Sequence, residues 1–155
     1  MNPEQRLSEL GIVVPTAPAP VASYVAARRV AGLLYVSGQG PFREGKPAYV
    51  GKLGVDLGED EGIEAARMSA INALAVIREA VGSLTAVRQV VKLQAWVACS
   101  ADFTRHPFVV NGASELLLQV FGEAGRHARS AVGTNVLPFD IPVEVELIVE
   151  LESLA

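Results

Sequence analysis

The segment Gly125-Arg126-His127-Ala128-Arg129-Ser130-Ala131-Val132-Gly133 is polar and holds two arginines, a histidine and a serine. It stands between the end of one helical pattern and the start of a strand pattern. An arginine at a strand start can project its fork into a crevice beside the sheet. Guanidinium offers a carboxylate two parallel N–H donors. It stays charged, so it anchors and polarises but is not a base. Composition alone favours a surface arginine paired with a nearby glutamate. A second candidate is the row Glu144, Glu146, Glu150 and Glu152 near the C-terminus. Such a row is either a solvated strand face or a lined interface in which one carboxylate is put to use.

Other chemistries find little support. His106 and His127 stand far apart without metal-ligand spacing, and both read as surface or loop residues. No G-x-S-x-G nucleophile elbow occurs. Gly38-Gln39-Gly40 lacks the third glycine of a dinucleotide fingerprint, and Gly51-Lys52-Leu53-Gly54 is not a phosphate loop. Cys99 is the only cysteine, which excludes an internal disulfide and a cysteine-based metal cluster. It reads as a small packed residue.

The chain has 155 residues, enough for one domain with a sizeable core. Hydrophobic residues make up 50% and charged residues 19%, which hints at apolar surface used in self-association. Net charge is -4, from 13 Lys+Arg against 17 Asp+Glu, and the basic residues are scattered. Nucleic-acid binding needs clustered cations on phosphates, so nucleic acid is not an expected partner. Met1 to Glu9 is polar without an apolar signal region. No apolar run approaches the ~20 residues of a membrane helix. A cytoplasmic location is expected.

The elements that must position these residues follow from pattern. Pro3 to Leu10 allows a short helix ended by Gly11, and Pro15 to Pro20 predicts an extended arm. Tyr24–Val30 and Leu33–Ser37 read as strands joined by a tight turn at Ala31-Gly32. Residues 42–58 read as a loop with a short strand near Tyr49-Val50. Asp60-Glu61 open a long helix whose stripe is Ile63, Ala66, Ala70, Leu74, Ile77 and Val81, with Gly82 as its cap. Val87–Ala98 reads as a strand with Val91, Leu93, Ala95 and Val97 on one face. A second helix starts near Pro107 with Val110, Ala113, Leu117, Val120 and Phe121 inward. Ser130–Leu137 and Pro142–Glu152 read as strands, joined as a hairpin through Pro138-Phe139-Asp140. On the last, Val143, Val145, Leu147, Val149 and Leu151 share one face. Two helices on one face of a mixed sheet make an α+β architecture.

One family matches this order of pieces. Pro20 through Tyr24, Val36-Ser37-Gly38-Gln39, Asn111, Arg129-Ser130, Leu137-Pro138 and Val143-Glu144-Val145-Glu146 together resemble the RidA/YjgF family of reactive-intermediate deaminases. The resemblance runs from about residue 18 to the C-terminus. The segment 125–133 resembles a longer-chain subgroup, often labelled translation inhibitor or L-PSP-type endoribonuclease. It divides the chain into an N-terminal arm, 1–19, and a family-like domain, 20–155.

The resemblance implies a chorismate-mutase-like α+β fold. It also implies a homotrimer with sheets inward, helices outward and three intersubunit sites. It implies hydrolysis of 2-aminoacrylate-type enamines and imines to 2-oxo acids and ammonia, without metal or cofactor. The expected partners are then a small carboxylate-bearing imine or 2-oxo acid and further copies of the chain. Position by position, Arg129 matches the arginine that grips the carboxylate, and Glu144 matches the glutamate that positions water. Tyr24 matches a tyrosine lining the site from the neighbouring subunit. Ser37 and Gly38 match the strand end that touches ligand, and Asn111 matches an asparagine of the second helix near the pocket. The sequence departs from the family at Ala131, where a cysteine is usual, and in the 42–58 loop, which could reshape the pocket. Two alternatives stand beside the deaminase. One is a non-catalytic, regulatory trimer binding small carboxylates. The other is an endoribonuclease, which the acidic chain disfavours.

Overall fold

The computed structural model describes residues 1–153. Helix α1, Pro3–Glu9, is closed at its start by Asn2, whose side chain accepts from the Gln5 amide. The helix does not hang free. Leu7 is buried in the core, and the Glu4 carboxylate takes the Leu84 backbone N–H at 3.0 Å and the guanidinium of Arg78. Strands β1, Ala27–Val30, and β2, Leu33–Gln39, form the expected hairpin, with Ala31 at φ 51 in its turn. Tyr24 and Val25 precede the strand rather than belonging to it. The small ribbon after β2 is β3, Phe42–Arg43, with β4, Lys46–Pro47. It is not at Tyr49-Val50, because Glu44-Gly45, both at positive φ, turn the chain earlier.

Helix α2, Glu59–Val81, ends at Gly82 as its pattern predicts. More of it is buried than one stripe. Ala65, Ser69, Asn72, Ala73 and Val76 are covered as well, since the helix touches both the sheet and the second long helix. Buried Asn72 donates to the Gly40 and Phe42 carbonyls at 2.8 and 3.0 Å, tying α2 to the end of β2. Strand β5, Val87–Ala98, is followed by α3, His106–Phe121, then β6, Ala128–Thr134, and β7, Val143–Leu151. A bulge between Val90 and Lys92 puts Val90 into the core and leaves Val91 exposed, which corrects the expected face of Val91.

The sheet runs β1-β2-β7-β5-β6. The expected hairpin between β6 and β7 is not formed. β5–α3–β6 is a crossover unit, and β6 lies parallel to β5 on the outer edge. β7 slots between β2 and β5, antiparallel to both. The burial pattern explains the choice. Every second residue of β7 is buried, as a central strand requires, whereas no residue of β6 is fully buried. Both long helices cover one face of the sheet. The other face has no long helix on it and carries exposed Tyr35 and Val132, half-buried Ile148, and Trp96 packed on Leu137 and Ile141, among polar groups.

The two helices approach closely at Gly112, where a Cβ would lie 2.1 Å from the Ile63 carbonyl oxygen. That backbone cannot yield without parting the helices. Gly112→Ala is expected to destabilise the fold by about 1–3 kcal/mol, measured by chemical denaturation. An unchanged midpoint would show that α3 has freedom to move off α2.

Candidate functional site

Arg129 is set on β6 opposite Leu93 of β5, so its side chain leaves the sheet on the helix-covered face. There it meets α3. Pro107, Asn111 and Ser114 recur at steps of four and three residues and therefore share one side of that helix. All three hold the guanidinium. Nη1 donates to Asn111 Oδ1 at 2.8 Å and to Ser114 Oγ at 3.2 Å, and Nη2 donates to the Pro107 carbonyl at 3.3 Å. Three of five donors are thereby used. Nε–H and one Nη2–H have no partner among the described residues. Nε and Nη2 flank one edge of the fork, the edge that takes a carboxylate side-on. No carboxylate of the chain forms a salt bridge with Arg129 among the described residues. The alternative of an arginine neutralised by a nearby glutamate is therefore not what the fold builds. Partial burial pulls the Arg129 ionisation below its ordinary value, but it starts far above neutral pH and the group stays charged.

Two further glycines permit this arrangement. A Cβ on Gly125 would lie 2.3 Å from the Leu117 carbonyl oxygen, so the turn before β6 presses directly on α3. A Cβ on Gly133 would lie 2.5 Å from His106 Nε2, so the far end of β6 is equally close to the helix start.

The remaining predicted residues gather elsewhere. Glu144 pairs in register with Trp96, between the buried Val143 and Val145, and so points to the helix-free face. Its carboxylate lies over Gly38, where a Cβ would stand 2.0 Å from Oε1. A larger residue at position 38 would have to displace that carboxylate. Burial, and then the neighbouring Glu146, push the Glu144 carboxyl above the usual range. Such a group can hold or release a proton nearer neutral pH. Ser37 donates from Oγ to the Val25 carbonyl at 2.7 Å, which fixes the segment before β1 against β2. Tyr24 and Ser37 line a shared surface depression with Arg28, Tyr35, Glu146 and Ile148.

The six predicted residues thus form two groups. Asn111 and Arg129 stand together on the helix face at the sheet edge. Tyr24 with Ser37, and Gly38 with Glu144, stand on the open face. Without the expected hairpin, Glu144 does not approach Arg129 within one chain. The pleat sends the two side chains to opposite faces, and β5 lies between their strands.

Sequence reasoning missed Pro107 and Ser114, although their spacing from Asn111 marks the same helix face. It read both histidines as surface or loop residues; His127 does lie in the loop before β6, whereas His106 opens α3, and both are half-buried and bonded. His106 lies 3.4 Å from Cys99 Sγ and edge-on to Phe103, and His127 is bonded to Ser114 and to the Gly125 carbonyl. Among the described residues no group of His, Cys, Asp and Glu is arranged to hold a metal ion. Among the described residues no helix is long and apolar enough to cross a membrane.

Known proteins share this architecture. Protein TCP17 of Trypanosoma cruzi is 45% identical over 148 residues, covering 95% of this chain and 92% of that protein. The crystal structure of Atu1372 from Agrobacterium tumefaciens, of unknown function, is 44% identical with a TM-score of 0.91, over 97% and 92% of the two chains. A Shewanella oneidensis structure described as a "putative endoribonuclease" is 36% identical with a TM-score of 0.94, over 97% and 100%. At 22% identity the fold is also that of Escherichia coli TdcF, solved with bound serine, with a TM-score of 0.63 over 91% and 98%. The family model described as "YjgF/chorismate mutase-like, putative endoribonuclease" matches residues 4–151, and the chain belongs to that family.

Proposed function

We propose that this protein hydrolyses reactive enamine and imine intermediates of the 2-aminoacrylate type to 2-oxo acids and ammonia. One observation carries the reading. Arg129 is locked by three bonds to α3 while the edge of its fork that suits a carboxylate stays open. The bound serine of TdcF, itself an amino acid carboxylate, is in keeping with a ligand of this class. The net charge of -4 and the scattered Lys and Arg argue against RNA as the substrate.

In this mechanism Arg129 fixes the carboxylate and draws charge from the adjacent imine carbon. Water adds its oxygen to that carbon, one of its protons passes to Glu144, and the amine nitrogen receives it. The resulting carbinolamine passes its hydroxyl proton to the nitrogen by way of Glu144 as the C–N bond breaks, so that ammonia leaves and the C=O of the 2-oxo acid forms. The imine is intrinsically reactive, so positioning supplies much of the rate. Because Arg129 and Glu144 face opposite ways in one chain, the working site is completed by a second copy. One copy brings Arg129 and Asn111, and its neighbour brings Tyr24, Ser37, Gly38 and Glu144. The apolar groups on the helix-free sheet face suit such an assembly, which we take to be a homotrimer. A binding role without turnover is the second reading. It is favoured by the completeness of the Arg129 half without Glu144.

With 2-iminobutanoate generated by a coupled dehydratase, the protein is expected to accelerate loss of the imine, followed by a trapping reagent. Arg129→Ala is expected to lower kcat/KM about 100-fold, the loss of two charge-assisted hydrogen bonds. Unchanged turnover in that variant would remove the site assignment. No acceleration, with binding of a 2-oxo acid retained, would select the binding role.

Glu144→Gln is expected to lower kcat with little change in KM. Its folded-state pKa is raised, so the folded state binds this proton more tightly than the unfolded chain does. Ionising the group therefore costs stability as the pH rises above the ordinary carboxylate range. The variant's Tm should be no lower than wild type at pH 7, and the difference should vanish in acid. A clear drop at pH 7 would show that the ionised carboxylate is a structural ion.

Light scattering at micromolar concentration is expected to give three times the chain mass. A monomer that turns the imine over would contradict the composite site.

A further inference from the structure

His127 takes no part in the mechanism above, yet it is joined to the site by bonds whose direction can be worked out. Its Nδ1 stands 2.6 Å from the Gly125 carbonyl oxygen. A carbonyl only accepts, so Nδ1 carries a proton. Its Nε2 stands 2.9 Å from Ser114 Oγ. The same oxygen accepts from Arg129 Nη1. Arginine only donates, so one of the two Ser114 lone pairs is committed at that side. The Ser114 hydroxyl proton is then available for Nε2, provided that nitrogen is bare. The neutral Nδ1–H imidazole therefore satisfies every group from the Gly125 carbonyl to the guanidinium. Ser114 is only 9% exposed, so bulk water is not freely available to substitute for a lost partner.

We propose that His127 is a positioning residue for the carboxylate fork of Arg129, acting through Ser114 and only while its imidazole is neutral. The proposal deepens the reading of Arg129 as a carboxylate anchor and rests on it. A proton on Nε2 would reverse the bond to Ser114. The hydroxyl would face two donors and have to turn its own proton elsewhere, and a second cation would stand behind the guanidinium. The new proton points at Ser114 rather than at the open fork, so it offers the ligand no hydrogen bond.

The charges around His127 agree with a neutral ring. Arg129 faces it from β6. In the adjoining turn Glu123 and Arg126 are exposed and paired with each other at 3.1 Å. On α3 the nearest ionisable side chain in sequence to Ser114 is the exposed Glu115. On β5, Lys92 reaches toward Ser130 on the other face of the sheet. Burial, with Arg129 adding to it against the pull of the Gly125 carbonyl, holds the His127 ionisation below the usual histidine range.

Calorimetric titration of 2-oxobutanoate across pH 8 to 5 tests the proposal, because this ligand stays ionised throughout. Wild-type affinity is expected to fall roughly tenfold on acidification below the usual histidine range, equivalent to one charge-assisted hydrogen bond. His127→Ala should bind weakly at every pH. His127→Gln, whose side-chain oxygen can accept from Ser114 without titrating, should restore most of the affinity and remove the pH dependence. Ser114→Ala should also remove the pH dependence. Affinity that rises in acid would mean that His127 acts only as an added positive charge, and would overturn the proposal. So would a ring found by nitrogen NMR to carry its proton on Nε2 at pH 8. If wild-type protein binds no 2-oxobutanoate at any pH, the reading of Arg129 falls instead. The relay is then judged without ligand. The Arg129 Nε–H resonance should titrate together with His127 in wild type and stay still in His127→Gln, and a resonance indifferent to His127 would refute it.

Discussion

The docking of β6 beneath α3 through the Arg129 guanidinium is the interaction on which the site depends. Three bonds to Asn111, Ser114 and Pro107 come from one side of a single helix, and they decide which donors remain. A free arginine side chain would lose considerable rotamer entropy on gripping a ligand. Here that cost is met when the protein folds, because the fork is held before any ligand arrives. The geometry in turn requires that α3 and the turn before β6 touch without side chains between them. Gly125 against the Leu117 carbonyl supplies that close approach, and Gly112 against the Ile63 carbonyl seats α3 on α2.

The pleat of the sheet imposes the second constraint. Alternation along β6 and β7 sends Arg129 to the helix face and Glu144 to the open face, and no rotamer brings them round β5. A chemistry that needs both must therefore be shared between copies. The open face carries Tyr35, Val132 and Ile148, apolar groups that gain by being covered. The same face holds the raised carboxyl of Glu144. The surface suited to association and the surface that offers the proton-handling group are thus continuous.

Much of this was legible in the residues. Helix α2 and strand β7 followed from apolar periodicity, because each has a side whose burial is nearly continuous. The Ala31-Gly32 turn followed from local backbone chemistry. What escaped was non-local. Nothing near Ser130 says that β6 will pair with β5 rather than β7, since that depends on where α3 carries the chain. The bulge that exposes Val91 shifts a register that alternation alone would continue. Arg129 was a candidate from its residue type and its place before a strand, the family resemblance chose it over a surface arginine and added Asn111, and the fold places the two side chains 2.8 Å apart. Ser114 and His127 were overlooked because a serine within a helix and a histidine in a turn gain a role only once the partner strand is known.

A crystal structure with 2-oxobutanoate bound tests the central claim most directly. The account expects the carboxylate oxygens on Nε and Nη2 of Arg129, with Glu144 of a neighbouring copy within a water's reach of the ketone carbon. A ligand bound away from Arg129, or gripped there with no carboxyl group of any copy near its reactive carbon, would contradict it.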